Sequence, residues 1–177
     1  MELTGQHLGM TLSISALDHD NAAYFGYCAK GELRLQRCRP CGLIRAPPGP
    51  ACPWCAASDF EWVSLNGRGK VYSYTEVRHA VQPAFLPYLP YVALLVELDE
   101  QRAQPSDHEA LRLIGNLALA DGTLASPDVV RQVGIGSRVR VVFARASEGL
   151  AIPLWTLDES ASQPDSVWRY PELSTPP

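Results

Sequence analysis

Long hydrophobic runs are missing from this chain. No stretch approaches the roughly eighteen apolar residues of a membrane span, and Met1 to Met10 offers neither a basic start nor an apolar stretch of signal-peptide length. Basic charge is scarce as well: 15 lysines and arginines stand against 19 acidic residues, for a formal net charge of −4. Sequence-independent binding to nucleic acid depends on neutralising many phosphates, so this balance argues against it. Histidine is sparse. His7, His19, His79 and His108 are the only four, and none stands at nucleophile–base spacing with Cys28 or a serine, so no catalytic residue is assigned. A paired-carboxylate mechanism depends on separation in space, which sequence does not carry. With no segment to insert in or cross a membrane, the expected compartment is the cytoplasm, where thiols stay reduced.

What is present is concentrated in one stretch, CRPCGLIRAPPGPACPWC, from Cys38 to Cys55. It holds four of the five cysteines as two Cys-x-x-Cys pairs, Cys38/Cys41 and Cys52/Cys55, ten residues apart. Two thiolates three positions apart on a tight turn grip one metal ion, and a second such turn completes a tetrahedral sulfur site. The pattern reads as a zinc ribbon, with Pro47, Pro48, Gly49 and Pro50 reversing the chain between the pairs. A thioredoxin-like redox motif would pair one Cys-x-x-Cys with a βαβ pattern, and two disulfides would need an oxidising compartment; neither condition is visible. Zinc is the default metal, and iron also suits an all-sulfur tetrahedron.

At 177 residues the chain has room for one ordinary core beside a small metal-stapled module. Residues 1 to 16 show no clear period and read as a loose lead-in. Asp18 or Asp20 can cap a helix over about 20 to 30, closed by Lys30 and Gly31. Cys28 sits on that helix without a companion and reads as a small buried hydrophobe. Glu32 to Cys38 alternates as a strand into the first metal turn, and Ser58 to Leu65 as the strand that leaves the second. Gly42 stands where such a turn needs positive φ; Ala56, at the equivalent place after the second pair, suits that conformation less well.

The turn residues NGRGK (66 to 70) open a different region. Val71 to Val77, Tyr91 to Leu98, Leu111 to Leu119 and Arg138 to Ala144 all read as strands, with Val92, Leu94, Val96 and Leu98 on one face. Gly115 interrupts the third of them. Four or five strands, no long helix and a mid-strand glycine point to a small closed barrel, with the OB-fold as the candidate. Between strands, His79 to Pro90 carries three prolines, Glu100 to Glu109 reads as a solvated hairpin tip, and Pro127 to Gln132 as one helical turn. The fold class is therefore mainly β: a short N-terminal helix, a zinc ribbon, then an OB-fold β-barrel. The expected divisions are a lead-in and helix over 1–31, a ribbon over 32–65, a barrel over 66–156, and an acidic, proline-containing tail over 157–177 that Trp168 and Tyr170 can anchor.

Placed in this order, the motifs closely resemble the zinc-ribbon plus OB-fold proteins catalogued as domain of unknown function family thirty-five. The matching residues include Gly31-Glu32-Leu33, Gln36-Arg37-Cys38, Cys41-Gly42, Pro47-Pro48, Cys52-Pro53 and Cys55. They continue through Gly67-Arg68-Gly69-Lys70-Val71-Tyr72, Leu89-Pro90-Tyr91-Val92, Gly115-Asn116, Gly134-Ile135-Gly136 and Ile152-Pro153-Leu154-Trp155, in collinear order over about residues 20 to 155. The resemblance implies a rubredoxin-like ribbon and a non-catalytic role as the accessory subunit of a thiolase-like enzyme in a hetero-oligomer. Such complexes make or break carbon–carbon bonds on acyl-CoA or related acyl substrates, in steroid side-chain degradation, archaeal mevalonate synthesis, aromatic degradation and aromatic acylation. Two departures from the family pattern are Ala56, where glycine is usual, and the polar insertion near Gln101 to Glu109.

The remaining candidates are surfaces. Lys30, Arg34, Arg37, Arg39 and Arg45, opposed locally only by Glu32, form either a face for CoA phosphates or an acidic partner, or simply a solvated rim. Phe85, Tyr88 and Tyr91 suit an acyl channel or an interface, with core packing an equal reading for Tyr91. No cofactor-binding residue beyond the four cysteines is identified. The rival functions are an OB module for single-stranded nucleic acid, which would interleave basic and aromatic residues on its strands, and a stand-alone acyl-CoA-binding protein.

Overall fold

The computed structural model describes residues 2–170. The chain opens with a hairpin, not with the loose lead-in expected over residues 1 to 16. Strands β1 (Leu3–His7) and β2 (Met10–Ile14) pair from Leu3 against Ile14 to His7 against Met10. Leu8 and Gly9 between them take φ of 51° and 77°, the backbone that a two-residue hairpin turn requires. Five-residue strands with a glycine and a histidine on the half-buried face carry little periodic signal, which is why the pattern does not announce them.

Helix α1 (His19–Ala29) lies within one residue of expectation. The Asp18 carboxylate accepts the Asn21 N–H at 3.1 Å. At the other end Gly31 N–H reaches the Cys28 carbonyl and Glu32 N–H the Tyr27 carbonyl, a pairing that Gly31 permits at φ 77°. The helix turns Tyr24, Cys28 and Ala29 inward.

The ribbon is a three-stranded sheet in the order β4-β3-β5, built from β3 (Arg34–Cys38), β4 (Ile44–Arg45) and β5 (Phe60–Ser64). The barrel follows as β6 (Arg68–Val77), β7 (Tyr91–Leu98), β8 (Arg112–Asn116), β9 (Arg138–Arg145) and β10 (Ala151–Leu157), in the order β10-β9-β6-β7-β8. A parallel bridge between Leu117 and Trp155 joins the end of β8 to β10 and closes the ring. Strand β6 serves both β7 and β9, and its register slips between Val71 and Ser73, a bulge that lets one strand bend around the barrel. Gly115 stands at the closure: a Cβ there would meet the Pro153 carbonyl oxygen and the Trp155 ring at 3.1 Å. Helix α2 (Pro127–Gln132) is the expected single turn and buries Val130.

One continuous core runs through all of this. Val92, Leu94, Val96, Leu98, Leu117 and Trp155 from the barrel pack with Leu33, Leu35 and Ile44 from the ribbon and with Tyr24 and Cys28 from α1. Each fully buried leucine or valine contributes about 2 kcal/mol, so ribbon, helix and barrel hold one another.

Two expectations are corrected. The polar stretch after Leu98 does not project as a solvated tip from its start: it begins with a 3-10 turn over Asp99–Gln101, and Gln101 is 4% exposed. The tail expected from 157, with Trp168 and Tyr170 as anchors, is held in place by their backbone groups and not by their exposed rings. Leu157 ends β10, and Asp158 is 1% exposed, its carboxylate accepting the Ser160 N–H and hydroxyl. Farther on, Trp168 and Ile135 exchange both backbone hydrogen bonds. Pro171, Glu172, Pro176 and Pro177 of that tail lie outside the described residues. No helix among the described residues is long and apolar enough to cross a membrane.

Candidate metal centre and the faces around it

The ribbon's two Cys-x-x-Cys turns are near copies. In the first, Cys38 N–H donates to the Leu43 carbonyl and Gly42 N–H to the Cys38 carbonyl; in the second, Cys52 N–H donates to Ala57 and Ala56 N–H to Cys52. Gly42 has φ 76° and Ala56 φ 59°. Ala56 therefore adopts the left-handed conformation that its Cβ disfavours, and the second turn keeps the geometry of the first.

These turns bring the four sulfurs within 4.8 Å of one another, with Cys38 and Cys52 buried and Cys41 and Cys55 exposed. The Cys38–Cys55 and Cys41–Cys52 sulfur separations are 3.5 and 3.6 Å. A zinc ion with sulfurs at about 2.3 Å sets tetrahedral sulfur–sulfur separations of about 3.8 Å, so the donor set fits such an ion. Without a cation among them, the clustered thiols do not ionise together. Burial opposes ionisation of Cys52, but the backbone N–H groups of Cys55 and Trp54 and the facing thiols outweigh it and hold the group down at about 6. The Cys41 backbone N–H favours a Cys38 thiolate, yet burial and the three facing thiols push it up to about 12. Ionised together, four thiols this close would need a cation between them.

The turns are braced by Gln36, Arg45 and Gln101, to which sequence reasoning gave no such role. Gln36 is wholly buried: its Oε1 accepts from Arg45 Nε at 2.7 Å and from Gly49 N–H at 2.9 Å, while its amide nitrogen donates to Asp20 at 2.8 Å. Arg45, 3% exposed, also donates to the Gly49 carbonyl at 2.5 Å and lies over the Phe60 ring. Gln101, from beyond β7, grips both backbone groups of Ile44. A buried glutamine in an alternating strand looks like any solvent-facing polar residue, so nothing in the sequence signals these roles.

The basic cluster is divided in the structure: Lys30 and Arg37 stay exposed, Lys30 over the Tyr27 ring, while the other three have protein partners. Arg45 is interior, Arg34 pairs with Glu32 at 2.5 Å and sits over the Tyr27 ring, and Arg39 is flanked by Asp59 at 3.4 Å and Glu61 at 3.6 Å. The acids that answer Arg39 come from β5 and its approach, out of local sequence range. Phe85 packs on Tyr91 with ring centres 4.8 Å apart, within a 3-10 turn over Pro83–Tyr88. Cys28 is 1% exposed and burial pushes its thiol up to about 12, which suits a core hydrophobe and not a nucleophile.

Between α1, the ribbon loop and the barrel lies an apolar cavity of about 440 Å³, with Tyr24, Phe25, Pro47, Leu113 and Pro153 among its walls. Residues 112–116 of β8 and 152–154 of β10 form its barrel wall.

Comparison with known proteins agrees with this architecture. Residues 62–144 match the family model described as the ChsH2 C-terminal OB-fold domain. The chain is 36% identical over 140 residues to the probable enoyl-CoA hydratase alpha subunit of Thermomonospora curvata, covering 79% of this chain but 38% of that protein. It thus spans well under half the length of that relative. It is 32% identical over 123 residues to a DUF35 domain-containing scaffold protein of Methanocaldococcus jannaschii, covering 69% and 72% of the two chains. Among solved structures, the Ltp2-ChsH2(DUF35) aldolase superposes with a TM-score of 0.62 at 35% identity, covering 81% of this chain and 98% of that one. Two paired Cys-x-x-Cys turns, an OB barrel closed beside them and these collinear matches have one meaning: the chain belongs to the DUF35 OB-fold family.

Proposed function

We propose that this chain is the zinc-holding, non-catalytic subunit of an assembly with a thiolase-like enzyme that forms or cleaves carbon–carbon bonds on acyl-CoA or related acyl substrates. The observation that carries the reading is the match across 98% of a chain in the Ltp2-ChsH2(DUF35) aldolase, whose name joins a DUF35 chain to a second protein. The hydratase name of the Thermomonospora relative belongs to a protein of which this chain matches 38%, so hydratase chemistry is not carried over. Within the reading, Cys38, Cys41, Cys52 and Cys55 hold zinc, which supplies a cross-link and no chemistry on substrate. Segment 32–65 then acts as the ribbon and 66–156 as the barrel of a cytoplasmic scaffold, with the helix of 1–31 packed into their shared core. Burial holds the Cys28 thiol protonated, which fits that role.

The test is recovery of the tagged chain from its native host at moderate salt. A thiolase-like enzyme in fixed ratio, with one zinc per copy of this chain, supports the reading. Recovery with nucleic acid, or a purified chain that alone binds or hydrolyses acyl-CoA, overturns it.

A further inference from the structure

Strand β8 is an edge strand with a slot beside it. Among the described residues it ladders only with β7, from Arg112 against Glu97 to Asn116 against Ala93. Leu111 accepts from Leu98 and Leu117 donates to Val92, so the odd-numbered residues turn their backbone groups toward β7. Strand geometry then points the N–H and C=O of Arg112 and Ile114 to the other side. Strand β10 reaches that side only at the barrel's closure, where Ala118 N–H donates to the Trp155 carbonyl at 2.7 Å. Two residues earlier on the same edge of β10 stands Pro153, which has no N–H to continue the ladder. Beyond it no ladder among the described residues joins the two strands, and both line the apolar cavity.

Natural edges are usually blunted by charge, proline or cover. Here the centre of the edge is Ile114, 72% exposed. Unpaired backbone donors and acceptors beside an apolar cavity are matched by one chemistry: an extended polypeptide that offers its own backbone groups to the edge and sets an apolar side chain in the cavity. We propose that β8 accepts an extended segment of a partner protein as an added strand, with hydrogen bonds at Arg112 and Ile114 and an apolar side chain seated against Tyr24, Phe25, Leu113 and Pro153. The proposal rests on the assembly reading only for which protein supplies the segment.

The probe is a phage-displayed library of random linear peptides selected on the full-length, zinc-loaded chain. Selected peptides alternate apolar and polar residues, and their binding slows hydrogen exchange at the Arg112 and Ile114 amides. Ile114→Pro removes one outward donor without touching the β7 ladder and weakens binding at least about tenfold, whereas Ile114→Val keeps the donor and binds as before. The exchange measurement on the unaltered chain decides the matter if Ile114→Pro folds poorly. Peptides that bind without slowing those amides overturn the proposal. So does a library that yields none while the apolar dye anilinonaphthalene sulfonate fills the cavity, or a self-associated chain protecting the same amides. An enzyme complex that forms equally well with folded Ile114→Pro sinks strand addition and leaves the assembly standing. A chain that joins no enzyme, yet binds peptides at β8, does the reverse.

Discussion

The side-chain amide of Gln101 pairs with both backbone groups of Ile44: its Oε1 accepts the Ile44 N–H at 2.6 Å and its Nε2 donates to the Ile44 carbonyl at 3.0 Å. One glutamine thus completes the edge of ribbon strand β4 with a residue from the barrel, 57 positions away in sequence. Both residues are buried, at 4% and 3% exposure, so neither group finds water if the other is removed. Gln101→Ala is expected to cost about 3 kcal/mol, most of it from the two backbone groups left unpaired. Urea unfolding of the metal-loaded chain measures it; a loss under about 1 kcal/mol means that water replaces the amide.

Ala56 offers a gain. Its φ of 59° is a conformation that a Cβ penalises by about 1 kcal/mol, and Gly42 fills the matching place in the first turn. Ala56→Gly is expected to stabilise the metal-loaded chain by about 1 kcal/mol, and Gly42→Ala to destabilise it by a similar amount. Thermal unfolding of the two variants side by side checks both signs.

The four cysteines carry a sharper expectation. Cys41→Ser leaves three thiolates and is expected to lower bound zinc well below one per chain and reduce the unfolding temperature, whereas Cys28→Ala leaves the metal in place. Metal analysis by mass spectrometry separates the two. Full zinc retention in Cys41→Ser would remove Cys41 from the ligand set.

Acid acts through Asp99. Arg138 hydrogen-bonds its carboxylate through both terminal nitrogens, and this holds Asp99 below the usual carboxylate range. The folded chain therefore binds that proton less tightly than the unfolded chain does. The resulting stability is fully present above about pH 4 and is lost as pH falls through the lowered folded value. Asp99→Asn is expected to lose about 1 kcal/mol at neutral pH and nothing once the native carboxyl is protonated. Unfolding curves taken down the acid limb test this, and a loss that persists unchanged at the acid end refutes it.

These relationships mark the limit of what sequence displays. Strand β7 was legible because Val92, Leu94, Val96 and Leu98 alternate and all four fall inside. The two Cys-x-x-Cys turns were legible as a cluster because their spacing is local, and the fold brings the four sulfurs together. Gln36, Gln101 and Asp158 were not legible, because a buried polar residue is made tolerable by partners far along the chain or by a tight local turn, and neither leaves a period. The same holds for the slot beside β8: the Ile152-Pro153 pair is visible, but that Pro153 faces the gap emerges only when β10 meets β8.

Arg169 governs the last described segment, and its prediction separates local from global stability. Its guanidinium donates to the Val130 carbonyl at 2.5 Å, to the Val133 carbonyl and to Glu76 at 2.7 Å, and lies over the Tyr74 ring. It therefore satisfies carbonyls at the end of α2 while tying residues 168–170 to β6, where Tyr170 N–H also reaches the Tyr74 hydroxyl. Gly134 admits the strap, since a Cβ there would collide with the Trp168 carbonyl oxygen. Because Trp168 and Tyr170 keep their rings largely exposed, polar contacts and not burial hold the segment. Arg169→Ala is thus expected to open the strap and the α2 end first, raising limited-proteolysis rates after residue 158 about tenfold. The barrel should keep most of its unfolding free energy, because Arg169 reaches the core only through the Val130 and Val133 carbonyls at its edge. Unfolding and proteolysis that worsen in equal proportion would mean instead that the strap and the barrel melt as one unit.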